Sequence, residues 1–306
     1  MKIIAIVNCT ATKTTAPPNN LRAAALARMS LPLLAREWRK RVQNAGELIQ
    51  VANLYCGRGF NMAVNAASLY GADIHVLSAG LGMLDLHNSV PSYSLTLNSD
   101  SQDYILARTT DCGPVTAHDW WSALTGCDGV AAVTDLVGKN KSAVILLGLS
   151  SIYLSMISEE LLSLPEHHLR RIRIVGPKRS DRLPLILQSL VMPYDDRLNG
   201  PDSGIRGTEF DFPQRALTSF IRLVHHDRYI DSETNHAKRV RLSLGQMRSP
   251  KRERRTRVTD ASLLSHIRSI KKRVSSITAG LRTLRKERKV ACEQRRFSRL
   301  WAQLET

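Results

Sequence analysis

A chain of 306 residues with a hydrophobic fraction of 43% is long enough for one large domain plus a small one. Its net charge of +17 is unevenly spread: residues 237–306 hold 21 Lys and Arg against 5 Asp and Glu, and the remainder is close to neutral. No apolar run reaches the length that crosses a bilayer, so membrane partners are set aside, and the cationic block points to a polyanion, most often nucleic acid. The five cysteines, Cys9, Cys56, Cys112, Cys127 and Cys292, form no C-x-x-C pair and no metal spacing. Together with a start that runs straight into a short strand, this predicts a reducing, cytoplasmic setting with neither metal nor cofactor.

Lys2 to Asn8 (K-I-I-A-I-V-N) has the unbroken apolar character of a strand covered on both faces. The Cys9-Thr10-Ala11-Thr12-Lys13 stretch after it offers hydroxyls and a lysine to an anion, or plain turn chemistry. Leu21 to Arg41 reads as two helices with a break near Ser30-Leu31-Pro32, and Leu48 to Leu54 as a second strand. Gly57 and Gly59 flank Arg58 at the start of a helical stretch, Asn61 to Tyr70, a placement that suits a phosphate or carboxylate. Ile74 to Leu77 is a third strand. It breaks into Ser78-Ala79-Gly80-Leu81-Gly82, where two glycines permit a sharp turn or the close approach of a ligand.

Ser99 to Pro114 reads as surface, and Thr116 or His118 caps a short helix that carries Trp120 and Trp121. Ala143 to Leu149 is the clearest strand, followed by a helix from Ser150 and Ser151 to Leu164, then a strand at Arg173 to Val175 that ends in Gly176-Pro177-Lys178-Arg179-Ser180. Leu183 to Val191 is ambiguous between strand and helix. Pro193 to Phe212 is a long polar loop, and Gln214 to His226 is a helix that closes the domain. The adjacent pairs His167-His168 and His225-His226 are poorly spaced for metal.

Alternating strands and helices predict an α/β fold, a mostly parallel sheet flanked by helices. The expected division is an α/β domain over 1–231, a mobile basic linker over 232–258, and a basic all-helical module over 259–306. Three helical pieces are readable in that module: Asp260 to Arg273, Thr278 to Lys289, and Glu293 to Leu304. Its basic face, Arg282, Arg285, Lys286, Arg288, Lys289, Arg295 and Arg296, is the expected nucleic-acid contact.

Four segments of the first hundred residues resemble a known pattern: Asn8 to Lys13; Ala52-Asn53-Leu54-Tyr55; Leu77 to Leu84; and Val90-Pro91-Ser92-Tyr93-Ser94-Leu95. They are similar to the YaaA-type peroxide-stress family and to related domains found near 7-deazaguanine transglycosylases, with Gly80, Gly82, Pro91 and Tyr93 on the family's motif. The spacer between Gly82 and Pro91 differs, and the basic tail lies outside the pattern. The resemblance implies DNA binding. An α/β domain with a DNA-binding tail is also similar to phage-defence DNA glycosylases that excise hypermodified cytosines and leave an abasic site.

Base excision needs a flipped nucleotide, a carboxylate to stabilise the sugar cation, and polar groups for the departing base. Asp85 is the expected carboxylate, and Asn8 the group that holds the base or orients water. Ser78, Gly80, Gly82, Tyr55, Tyr93 and Arg58 are the expected substrate contacts. Two alternatives stand beside this reading: a non-catalytic DNA-binding stress protein of the YaaA type, and an enzyme acting on nucleotides or nucleosides.

Overall fold

Lys2–Asn8 forms β1, and every residue from Ile3 to Val7 is buried. The computed structural model describes residues 1–176, 181–251 and 254–304, and the chain divides into two units, Met1–Pro250 and Lys251–Thr306. In the first unit, β2 (Ala72–Ser78) lies parallel to β1, with Asn8 opposite Leu77. β3 (Gly82–Asp85) turns back antiparallel on β2, with Ser78 opposite Gly82. β4 (Ala143–Gly148) and β5 (Ile172–Ile174) extend the sheet in parallel on the other side of β1. The order is β3-β2-β1-β4-β5, a mainly parallel five-stranded sheet. The centre strand is apolar throughout because helices cover both of its faces.

Six longer helices surround it: α1 (Leu31–Gln43), α2 (Arg58–Tyr70), α3 (Ala117–Thr125), α4 (Ser151–Leu162), α5 (Phe212–Val224) and α6 (Glu233–Gly245). α2 and α5 pack on each other and on the sheet, while α1, α3 and α4 pack together as another group. Among the described residues, no helix is long and apolar enough to cross a membrane.

Several local expectations are corrected. Leu48–Leu54 is not a strand of the main sheet. Ile49–Gln50 pairs with Ser89–Val90, and Val51–Leu54 is one helical turn whose first N–H groups are taken by the Asn88 and Leu86 carbonyls. Residues 21–30 are not a helix, because Leu21 and Ala23 exchange backbone bonds with Ser94 and leave two short 3-10 turns. Pro32 starts α1 instead of breaking a helix, since its missing N–H costs nothing in a first turn. The 99–114 stretch is only partly surface: Asp103, Ile105 and Thr109 are buried. Leu185–Ser189 resolves the ambiguous apolar run as a short helix, and the Pro177-Lys178-Arg179-Ser180 segment lies outside the described residues.

The 232–258 stretch is not a mobile linker throughout. Ser232 caps α6, which buries His236, Val240 and Leu244, and Arg239 pairs with Asp227. The first unit therefore continues to Pro250.

The second unit has its own core of Leu263, Ile267, Ile270, Leu281, Leu284, Phe297, Leu300 and Trp301. Three helices supply it: α7 (Asp260–Lys271), α8 (Ile277–Glu287) and α9 (Gln294–Ala302). The module is not all-helical, because Thr256–Arg257 and Val290–Ala291 form a short parallel ladder. Trp301 lies over Gly280, where an added Cβ would come within 2.4 Å of its ring, so α8 and α9 approach closely.

The long polar loop is tied down by its acids. Asp195 holds Arg197, Asp202 holds Arg248, and Asp211 sits between Arg58 and Arg215. Arg215 is fully buried and also reaches the Leu198 and Thr208 carbonyls and Asn199 Oδ1. Burial alone would raise the Asp211 value, but the Thr208 N–H and the two guanidinium groups hold it below the carboxylate norm. Removing this carboxylate leaves a buried cation without its counter-charge, so Asp211→Ala is expected to cost about 3–5 kcal/mol. Arg58→Gln, at the half-exposed partner, is expected to cost about 1 kcal/mol or less. The Asp211 contribution is complete above the unfolded value of 3.8 and is lost as pH falls through the lower folded value. Urea titrations of both variants across the acid range check the order and the pH window.

Candidate functional site

The crevice at the carboxyl edge of the sheet starts with Asn8 and Cys9, where β1 ends. Asn8 Oδ1 accepts from the Ser150 N–H at 3.4 Å, at the start of α4, and from Gln214 Nε2 at 3.2 Å, on α5. Cys9 Sγ lies 3.0 Å from the Tyr153 hydroxyl on α4. The end of β1 and the start of α4, which follows β4, thus meet at this edge of the sheet. The connection after β1 leads through α2 to β2, and the one after β4 leads through α4 to β5, on opposite sides of the sheet. Ligands of open α/β sheets bind outside strand ends at such a switch of direction.

Beside it lies a chain of buried hydroxyls. Ser78 Oγ accepts the N–H groups of Gly80 at 3.2 Å and Leu81 at 3.0 Å, so its lone pairs are taken and its own proton goes to Tyr93 Oη at 2.6 Å. Tyr93 Oη in turn lies 2.9 Å from Tyr55 Oη, and either phenol can supply the proton of that bond. Burial pushes both phenols, and Tyr153, well above the usual tyrosine range, so all three stay protonated donors.

Lys13 sits on this assembly. Its Nζ lies 4.3 Å from the Tyr93 ring centroid and 5.6 Å from that of Tyr55, and it donates to the Thr10 carbonyl at 3.2 Å. Burial holds the ammonium below the ordinary lysine value, while nearby Cys9 and Asp103 pull the other way. No carboxylate among the described residues comes within ion-pair distance of it. Lys13, Thr10, Asn8 and Tyr153 keep partial exposure, so the assembly opens to solvent on that side.

The structure brings together Asn8, Ser78, Gly80, Tyr55 and Tyr93 from the expected set, and gives the glycines a packing task. Gly82 adopts φ +83°, and a Cβ there would meet Val130 Cγ1 at 2.5 Å. A Cβ on Gly80 would meet the Tyr93 ring at 2.9 Å. Tyr93 is itself covered, its hydroxyl tied at both sides. Arg58 is engaged by Asp211 through two nitrogens. Asp85 stands at the far end of β3, opposite His75; its Oδ1 accepts the His87 N–H at 2.8 Å and caps its own turn. Trp120 and Trp121 are buried packing residues. Tyr153 and Gln214 carried no sequence signal, since each meets β1 across more than a hundred residues.

The second unit offers a separate concave face, a cavity of about 430 Å³ lined by Arg255, Ile277, Thr278, Leu281, Arg282, Arg285, Lys286 and Gln294. Its cations divide by task. Arg285 clasps the Cys292 carbonyl at 2.7 Å, Arg296 and Arg299 hold Asp260, and Arg288 reaches Ser269. Arg255, Arg282 and Lys286 have no hydrogen-bond or ion-pair partner among the described residues. Lys289 and Arg295, also expected contacts, have partners within the fold.

No protein-family model matches the chain, and no curated protein matches it.

A partly buried ammonium with one carbonyl acceptor costs stability at neutral pH. Lys13→Met keeps the stem and removes the charge, so it is expected to melt at the wild-type temperature or above it near pH 7. The depressed folded value means that the unfolded chain holds a proton the folded chain lacks, between that value and 10.5. Wild-type stability therefore rises with pH across this window, and the advantage of the variant shrinks. Calorimetric melts of both proteins from neutral to alkaline pH test this; a lower melting temperature for the variant at pH 7 contradicts it.

Proposed function

We propose that the protein binds nucleic acid, double-stranded DNA in the first instance, through its Lys251–Thr306 unit. The observation that carries this reading is the concave face where Arg255, Arg282 and Lys286 lack any acidic partner among the described residues, within a segment that holds 17 Lys and Arg against 5 Asp and Glu. Cations needed for the fold are paired internally, and these are left for phosphates. The resemblance of the first hundred residues to YaaA-type proteins points the same way. Base excision needs a carboxylate beside the flipped base, and Asp85 is turned to its own loop on the edge strand; binding is therefore the reading favoured over catalysis.

Phosphate contacts release counterions, so duplex affinity is expected to fall steeply with salt. The double variant Arg282→Gln, Lys286→Gln should weaken binding and flatten the log–log salt slope by about 2, close to one unit per lost contact. Arg296→Gln should instead loosen the Asp260 clamp and lower the melting temperature of the second unit. Fluorescence anisotropy with a labelled duplex over a salt series, on the full chain, reads the first two effects. A flat salt response, or an unchanged slope in the double variant, overturns the assignment.

A further inference from the structure

Lys13 differs from the other inward-placed cations of the α/β unit. Arg215 has Asp211 and several oxygens; Arg173 has His236 and the carbonyls of Arg170, Ile172 and Asp231; Arg171 has those of Asn140, Ala143 and Val137. Lys13 has three N–H donors and, among the described residues, one oxygen acceptor, the Thr10 carbonyl. The faces of Tyr93 and Tyr55 temper its charge without accepting the remaining protons in full hydrogen bonds.

The groups around it are donors as well. Of the two phenol protons in the Ser78–Tyr93–Tyr55 chain, one fills the Tyr93–Tyr55 contact and the other has no acceptor in it. Where the Cys9 thiol donates to Tyr153 Oη, the Tyr153 proton is likewise free to point outward. At the start of α4, Ser150 gives its N–H to Asn8 and caps nothing with its side chain, and no carboxylate stands in the first turn. Among the described residues, this edge presents donors and the Lys13 ammonium, while its acceptors, Asn8 Oδ1 and the Thr10 carbonyl, are already engaged; such a set is complementary to an oxyanion.

We propose that the crevice above β1 and β4 binds the phosphoryl group of a small molecule, with Lys13 as its counter-charge and the Tyr153 hydroxyl as a hydrogen-bond donor. The donors stand on separate elements, the loop after β1 and the first turn of α4, and both neighbour Cys9, whose thiol is 3.0 Å from Tyr153 Oη and within electrostatic reach of the Lys13 ammonium. This site lies wholly within Met1–Pro250 and does not depend on the nucleic-acid reading of the other unit.

The test uses the full chain carrying Arg282→Gln and Lys286→Gln, so that the basic face of the second unit does not mask the signal. Titration calorimetry at fixed ionic strength is run with inorganic phosphate, ribose 5-phosphate and acetate. One saturable site is expected, with either phosphoryl compound bound more tightly than acetate; the tighter of the two tells free phosphate from a phosphomonoester. Lys13→Met should weaken it roughly 10- to 100-fold, the loss of a charge-assisted bond. Tyr153→Phe, which keeps the packing, should weaken it by roughly 3- to 10-fold with an unchanged melting temperature. As an independent readout, phosphate should slow acetylation of Lys13 by acetic anhydride, followed by peptide mass spectrometry. Absence of a saturable site, wild-type affinity in Lys13→Met, or a preference for acetate would each overturn the proposal.

Discussion

The turn from Ser78 to Gly82 governs the α/β unit, and two indoles hold it. Trp38 Nε1 on α1 donates to the Gly80 carbonyl at 2.7 Å, and Trp120 Nε1 on α3 donates to the Ala79 carbonyl at the same distance. The chain reverses here from a parallel strand to an antiparallel one inside the core, so these carbonyls have no place in the ladder. A buried carbonyl left unpaired costs roughly 1–3 kcal/mol, and each indole N–H removes one such cost while filling space with its ring. On the other side of the turn, the Ser78 hydroxyl takes the N–H groups of Gly80 and Leu81. With the turn fixed from both sides, Tyr93 has a single position beneath Gly80, and Tyr55 follows from Tyr93. The ring faces on which Lys13 rests are thus set by two tryptophans far away in sequence.

The second unit separates structural from available cations by the same logic on a smaller scale. Arg296 and Arg299 converge on Asp260, the first residue of α7, and so join the ends of two helices. Arg285 satisfies the Cys292 carbonyl beyond the short ladder. A core of ten buried side chains among the described residues is modest for a unit of this size, so such fastenings carry a larger share of its stability. Where the fold has no use for a cation, as at Arg282 and Lys286, the side chain lines a hollow.

What was legible in the chain follows from how local each signal is. Lys2–Asn8 and Ala143–Gly148 read as strands because burial on both faces leaves no polar position in them. The three C-terminal helices read well because each keeps an apolar stripe against a charged remainder. Leu48–Leu54 misled because a short apolar run has the same composition as a strand or as a buried turn, and only the partner at Ser89–Val90 decides. α6 was hidden because one of its three buried positions is His236, which packs on Phe220 and accepts from Arg173, contacts no local pattern announces. The glycines of the Ser78–Gly82 turn stand out in the sequence as a place of close approach, and the neighbours that approach them in the fold are Val130 and Tyr93.

The candidate crevice was only half readable for a related reason. Lys13 stood out beside Thr10 and Thr12 as a residue able to meet an anion, since those residues are neighbours in the chain. Its surroundings come from Tyr55 at the end of the Val51–Leu54 turn, from Tyr93 after Ser89–Val90, and from α4, and no spacing in the sequence brings these together. The physical distinction between Lys13 and an ordinary buried cation is an inventory of acceptors, which exists only in three dimensions. Arg215 and Arg173 show that this fold can supply four or more partners to an interior guanidinium. That the described residues supply a single oxygen to Lys13, at the point where the sheet changes direction, is best understood if the missing acceptors arrive with a ligand.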